Sequence, residues 1–203
     1  MNGIFGVTAV VFLGVLLTGC AASRPMVFVP LPEPDQVSGY AQGRHIFISR
    51  TETSGIGLSL PGEAVSPRQP VDLRIAVSNY SRTPFDFSTE NISARCGNKI
   101  IHVYSPADAV RDEEKRTGAV EPKSAAEPGG GDVEFPRGID GDGESGNRRL
   151  QVFSQSLLRP ETVLPHGMHY GVVRVSFPSC VDEVRLSITT GMDIHAFVFE
   201  LSN

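Results

Sequence analysis

Charge is missing from the first 19 residues, cysteine occurs only three times in 203, and no basic stripe runs anywhere along the chain. Each absence narrows the field. Without a cluster of Lys and Arg to follow a phosphate backbone, nucleic-acid binding is not expected at a net charge of −5. The three cysteines include no Cys-x-x-Cys pair, and Gly-x-Ser-x-Gly, His-Glu-x-x-His and the phosphate loop are all missing. No catalytic residue is therefore assigned and no cofactor is expected: the sequence reads as a non-enzyme. A spanning helix is missing too. Ile4 to Leu17 is the one long apolar stretch, and fourteen residues at about 1.5 Å each reach only about 21 Å of a roughly 30 Å hydrocarbon core.

That length fits the apolar region of a secretory signal. It ends in Leu17-Thr18-Gly19-Cys20, followed by Ala21-Ala22-Ser23. This motif resembles the lipobox of bacterial lipoproteins, in which small residues precede a cysteine that is then acylated. Small side chains at 18 and 19 let the backbone into a peptidase site, and only a thiol accepts the diacylglyceryl group as a thioether. The resemblance implies a signal peptide over 1–19 and lipidation, including palmitate, at Cys20. It also implies stable membrane attachment, because two or more acyl chains hold where one does not. In Gram-negative lipoproteins a residue other than Asp after the cysteine directs export to the outer membrane, so Ala21 implies that membrane, facing the periplasm.

With Cys20 given to lipid, Cys96 and Cys180 remain as an even pair in an oxidising compartment, which favours a disulfide. Such a bridge encloses about 85 residues, and loop-closure entropy then sets an upper expectation of about 4–5 kcal/mol.

The rest divides by composition. Residues 20–43 hold prolines at 25, 30, 32 and 34 and read as an extended tether, with docking of Met26-Val27-Phe28-Val29 as a strand the other possibility. From 44 to 203 short alternating strands are divided by turn residues. Val71, Leu73, Ile75 and Val77 share one face, Val173, Val175 and Phe177 another, and Val184, Leu186 and Ile188 a third. The rhythm breaks at about 106–149, where eight Gly, four Pro, eleven acidic and seven basic residues fall together. Such a segment buries too little apolar surface to offset its ordering entropy. Its start is the exception: Ser105 and Pro106 predict an N-cap and first turn for a short helix over 107–116. Further on, Asp140-Gly141-Asp142-Gly143-Glu144 spaces oxygen ligands alternately, but Ser145 stands where a calcium loop needs glycine; a solvated loop is expected there.

The fold predicted from at least seven short strands is mainly β, an antiparallel sandwich with a long disordered or partly helical insert. Leu73 to Tyr104, with Asn79-Tyr80-Ser81 and Pro84-Phe85, resembles immunoglobulin-like domains of bacterial envelope proteins. Leu164-Pro165-His166-Gly167 leading into Tyr170-Gly171-Val172-Val173, and the closing Ala196-Phe197-Val198-Phe199, extend the likeness to about half the chain. The resemblance implies a binding or assembly role on another envelope component and transfers no functional residue. One alternative function rests on side-chain chemistry. His166, Met168 and His169, with His195 further on, mix imidazole and thioether as a periplasmic copper site does. On a strand, however, positions 166 and 169 face opposite sides, so both ligate only from a turn.

Overall fold

The computed structural model describes residues 25–66, 69–118, 142–177 and 183–202. The clearest alternation in the sequence becomes β5 (Val71–Asn79): Val71, Leu73, Ile75 and Val77 are buried while the residues between them face out. It follows β1 (Val27–Pro30), β2 (Val37–Ala41), β3 (Arg44–Arg50) and β4 (Ser54–Pro61). Next come β6 (Phe85–Phe87), β7 (Ile92–Cys96), β8 (Lys99–Val103) and two helices, α1 (Pro106–Thr117) and α2 (Asp142–Ser156). The chain closes with β9 (Glu161–Val163), β10 (Met168–Ser176), β11 (Glu183–Thr190) and β12 (Asp193–Ser202).

The domain is mainly β and antiparallel, as expected. Ten strands form one continuous sheet in the order β1, β12, β11, β7, β8, β10, β5, β4, β3, β2, and β6 pairs with β9 beside it. The junction of its two halves is slight, since β8 meets β10 only at Val103–Val175 and His102–Ser176. The sheet curls there until β12 lies over β3, with the Phe47 and Phe197 rings 6.0 Å apart edge to face. Phe28, Phe177 and Phe199 form a second aromatic group in the same core. The result is a nearly closed, barrel-like sheet whose interior is filled by side chains from both halves.

Two expectations need correction. The proline-rich stretch over 20–43 is not a free tether from residue 26 onward. Met26 and Phe28 are buried, Met26 exchanges both backbone hydrogen bonds with Val65 at 2.8 and 2.7 Å, and β1 pairs with β12. Apolar side chains at 26 and 28 outweigh the prolines: Pro30 ends β1, and Pro32 and Pro34 fall in the connection to β2, where no ladder N–H is needed. The insert is also helical at both of its described ends, which extends the partly helical form expected of it. Helix α1 forms with Ser105 accepting from the Asp108 N–H as N-cap, Pro106 in the first turn and Gly118 left-handed after its end. Helix α2 extends from 142, so the helical part of the insert runs well past the expected 116; residues 119–141 lie outside the described residues.

The registers give the sheet two ends. At one, the chain leads into β1 beside the end of β12 (Val27 opposite Ser202), near the turns at 42–43 and 97–98. The other carries the β11–β12 turn, the 51–53 turn and the turn before β10.

Candidate functional site

Two polar clusters stand out from the apolar interior, and each has residue types that catalysis uses. The first lies at the end of the sheet remote from β1. Ser54 opens β4 and is 1% exposed; His195 on β12 is equally buried. His195 Nε2 is 2.9 Å from Ser54 Oγ and its Nδ1 2.9 Å from Ser49 Oγ. Ser54 Oγ also lies 2.6 Å from Asp193 Oδ2 and 2.7 Å from Thr190 Oγ1. Thr51 and Thr53 donate to the same Asp193 oxygen.

The proton positions follow from the chemistry of the groups. Burial pushes the His195 pKa down, against the opposing charges of Asp193 and Asp35, so the ring is neutral. Hydrogen bonds from Ser54, Thr51 and Thr53 hold the Asp193 carboxyl below its usual range, so it only accepts. Ser54 has one proton and gives it to Asp193. It then accepts from His195 Nε2–H and from Thr190, which leaves Nδ1 to accept from Ser49. This places serine, histidine and aspartate together with the wrong polarity for nucleophilic attack. A base must present a lone pair to the serine proton; here the imidazole presents its own proton to the serine oxygen. The cluster ties β3 and β4 to β12 across the curled sheet.

The second cluster is built on Arg174, 2% exposed on β10. Its Nε and Nη2 grip both oxygens of Asp72 on β5 at 2.8 and 3.0 Å; Nη1 donates to Asp112 at 2.9 Å and Nη2 to Glu113 at 2.9 Å, both on α1. Phe153 of α2 stacks 4.2 Å from the guanidinium carbon. Burial alone pushes the Arg174 pKa down, but the bonds and charge of Asp72 and then Glu113 outweigh it and the net direction is up. Glu113, itself buried, also meets Arg116 at 3.4 Å and Arg149 of α2 at 3.5 Å. One cation thus fastens both helices to the sheet, and four of its five N–H groups go to this chain's own carboxylates.

The copper set is not brought together. His166 sits at φ 60 in the turn before β10, its N–H bonded to the Asn79 carbonyl at 2.8 Å. Met168 opens β10 with its side chain 67% exposed. His169 is held by Glu161 at 2.7 Å through Nδ1 and by the Arg159 carbonyl at 3.0 Å through Nε2. His195 is committed to the serine network on β12. Among the described residues, no three His, Cys, Asp or Glu side chains are grouped as a metal ion would require. Cys96 ends β7, is 4% exposed and is disulfide-bonded. Cys20 and Cys180 lie outside the described residues, as does part of the calcium-like stretch at 140–144, whose end from Asp142 belongs to α2.

Sequence reasoning missed both clusters. Arg174 and Asp72 sit on alternating strands, 102 positions apart, and nothing local marks a charged residue at an outward strand position as one that a helix will cover. No family model, curated protein or solved structure matches the chain.

Proposed function

We propose that the chain is a lipid-anchored, non-catalytic envelope protein, acylated at Cys20 and held on the periplasmic face of the outer membrane, whose β domain binds or scaffolds another envelope component. The observation that carries this reading is the Leu17-Thr18-Gly19-Cys20 motif, set only six residues before Met26, where the sheet begins. Six peptide steps span at most about 20 Å, so an acyl group on Cys20 holds the β1 end of the domain close to the bilayer and turns the opposite end outward. The non-catalytic part draws support from the reversed polarity of the Ser54–His195 pair and from the Arg174 guanidinium, whose bonds go to the chain's own Asp72, Asp112 and Glu113. The scaffold part draws support from the likeness of 73–104 to immunoglobulin-like modules. We place the domain among them, with the two-pair junction of β8 and β10 as the line along which a sandwich divides into two sheets.

Cys180 is the partner we assign to Cys96. Only two other cysteines exist, and Cys20 is committed to lipid. Cys96 lies opposite Val184 in the β7–β11 register, four positions after Cys180.

The test is metabolic labelling with a palmitate analogue in cells carrying the full chain. Label on the wild type and none on Cys20→Ser, with the variant released from the membrane fraction, supports the reading. Equal membrane retention of the unlabelled variant contradicts it.

A further inference from the structure

The curled sheet closes on itself without a ladder. Among the described residues, no strand pairing joins β12 to β3 where one lies over the other. At the end remote from β1 this seam brings two hairpin tips together. One is the 51–53 turn between β3 and β4; the other is the turn between β11 and β12, where Gly191 takes φ 58. The hydrogen bonds described between the two hairpins all run from side chain to side chain. Asp193 receives Thr51, Thr53 and Ser54, Thr190 meets Ser54, and His195 meets Ser49 and Ser54. Each tip also has support of its own. The Thr53 carbonyl accepts from the Tyr80 and Ser81 N–H groups at 2.8 and 3.1 Å, and the Phe85 ring packs beside Gly191. Parting the tips therefore leaves both hairpins folded.

His195 is the member of this set whose ordinary titration falls between pH 5 and 8. With the ring neutral every group in the set is satisfied: Nε2–H donates to Ser54 and Nδ1 accepts from Ser49. A second ring proton breaks that match. Nδ1 becomes a donor aimed at Ser49 Oγ, 2.9 Å away, so the Ser49 hydroxyl must turn its own proton elsewhere. Ser49 is 5% exposed, and its side chain has no second hydrogen-bond partner among the described residues. Protonation thus leaves a buried donor without an acceptor and puts a charge in a buried ring, and both count against the closed arrangement.

The charged groups facing the ring are Asp193 on β12 itself and Asp35 on the 31–36 connection. That connection crosses β12 through the Leu31 N–H, bonded to the Val198 carbonyl at 3.0 Å, and through the Gln36 amide, which donates to the Ala196 carbonyl. From β3, β4 and β11 the ring's surroundings receive the hydroxyls of Ser49, Ser54 and Thr190. Both carboxylates favour a charged ring, but serine hydroxyls occupy both ring nitrogens, so neither carboxylate bonds it. Burial outweighs them, and the net direction of the ring's pKa is down.

We infer that the tips of the β3–β4 and β11–β12 hairpins form a clasp that acid releases, parting this end of the sheet and admitting solvent to Ile56 and Ile188 behind it. Ile56 pairs with Ser49 and Ile188 with His195, so both apolar side chains lie next to the clasp on the inner face, each at most 1% exposed. In the open form the ring stands in water with its ordinary pKa of about 6.5. The ratio of open to closed is level above that pH and rises by up to about tenfold for each unit below it, until the closed ring also takes a proton. At pH 5 the ceiling is about thirtyfold. Asp193, held below its usual range, adds to the release only below about 3.8. Release of the clasp depends on neither the Cys20 anchor nor an envelope partner.

A thiol placed behind the clasp measures the opening. Full-length Ile56→Cys and, as a control in the laddered β5–β10 part of the core, Val173→Cys are labelled with dithiodipyridine, a disulfide reagent that reacts in acid. Each rate, less that of the unsubstituted chain, is divided by the rate of the same variant unfolded in urea at the same pH, which gives the open fraction. The expected result is that position 56 labels at least about tenfold faster than position 173 on this scale. Its normalised rate rises at least about threefold from pH 7.5 to pH 5, and the rise disappears when His195→Gln, neutral at every pH, is added. Equal rates at 56 and 173 overturn the inference, because global unfolding then accounts for all exposure. A rate at 56 that ignores pH overturns it, as does a rise that survives His195→Gln. Should the double variant not fold, titration of the His195 ring by NMR in the unsubstituted chain decides. A midpoint below about 6.5 supports the clasp, and one at or above that value overturns it.

Discussion

Replacing Arg174 by methionine removes the charge that fastens the helices to the sheet while keeping much of the side-chain length. The cost follows from what each carboxylate has left. Side chains of Asp72 and Asp112 are 39% and 27% exposed and regain water. Glu113, 4% exposed, keeps Arg116 and the largely exposed Arg149 at 3.4 and 3.5 Å. Breaking a fully buried ion pair from one side costs about 3–5 kcal/mol; with two partners rehydrated and the third still paired, about 2–3 kcal/mol is expected. For a chain of this size that corresponds to a fall in Tm of roughly 4–10 °C, measured by urea and thermal unfolding followed by circular dichroism. The loss is local first: amide exchange in α1 and α2 accelerates before that of β5 or β10. Combining Arg174→Met with Glu113→Gln tests the coupling, and the double variant should lose less than the sum of the singles. A loss below about 1 kcal/mol, or strict additivity, refutes the view that Arg174 is the helix fastener.

Gly171→Ala places a Cβ 2.5 Å from Leu158 Cα and 2.6 Å from its nitrogen, against backbone whose N–H bonds the Val172 carbonyl. A destabilisation of about 2–3 kcal/mol is expected in urea titration, whereas Gly57→Ala, 3.7 Å from the Ala76 Cβ, should be neutral or slightly stabilising. The serine–histidine cluster predicts a sign for pH. Both the His195 and Asp193 pKa values are lowered in the fold. Stability from His195 is therefore fully present above its unfolded value of about 6.5 and declines as pH falls toward the depressed folded value, with Asp193 adding a further loss below about 3.8. Stability measured from pH 8 to 4 should fall, and the first part of that fall should vanish in His195→Gln; a flat profile in the wild type contradicts the neutral ring.

How much of this was legible depended on whether the signal was local. The alternations at 71–77 and 184–188 and the Ser105-Pro106 start of α1 are local, and each formed as read. β2 was hidden and β1 stood only as the second reading of 26–29, because prolines at 25, 30, 32 and 34 gave the composition of a linker, while burial of Met26 and Phe28 is decided by Val65 and β12 far along the chain. α2 was hidden for the opposite reason. Gly143 and Gly146 weaken its intrinsic helicity, and contacts with α1, together with Phe153 on Arg174, supply what its own sequence lacks. The histidines were legible as residues but not as partners. His169 and His195 sit on different strands and are each committed elsewhere. The curl that brings β12 over β3 is a property of the whole sheet, and no short window of sequence encodes it.

The lipid anchor on Cys20 is read from the mass of the mature N-terminal peptide. The protein is extracted from membranes, digested, and its most N-terminal peptide sequenced by mass spectrometry. The expected peptide begins at Cys20 and carries a diacylglyceryl thioether, with Cys96 recovered in a separate peptide linked to Cys180. An unmodified Cys20 within a peptide that still contains Leu17-Thr18-Gly19, or a Cys20–Cys96 disulfide, would contradict it.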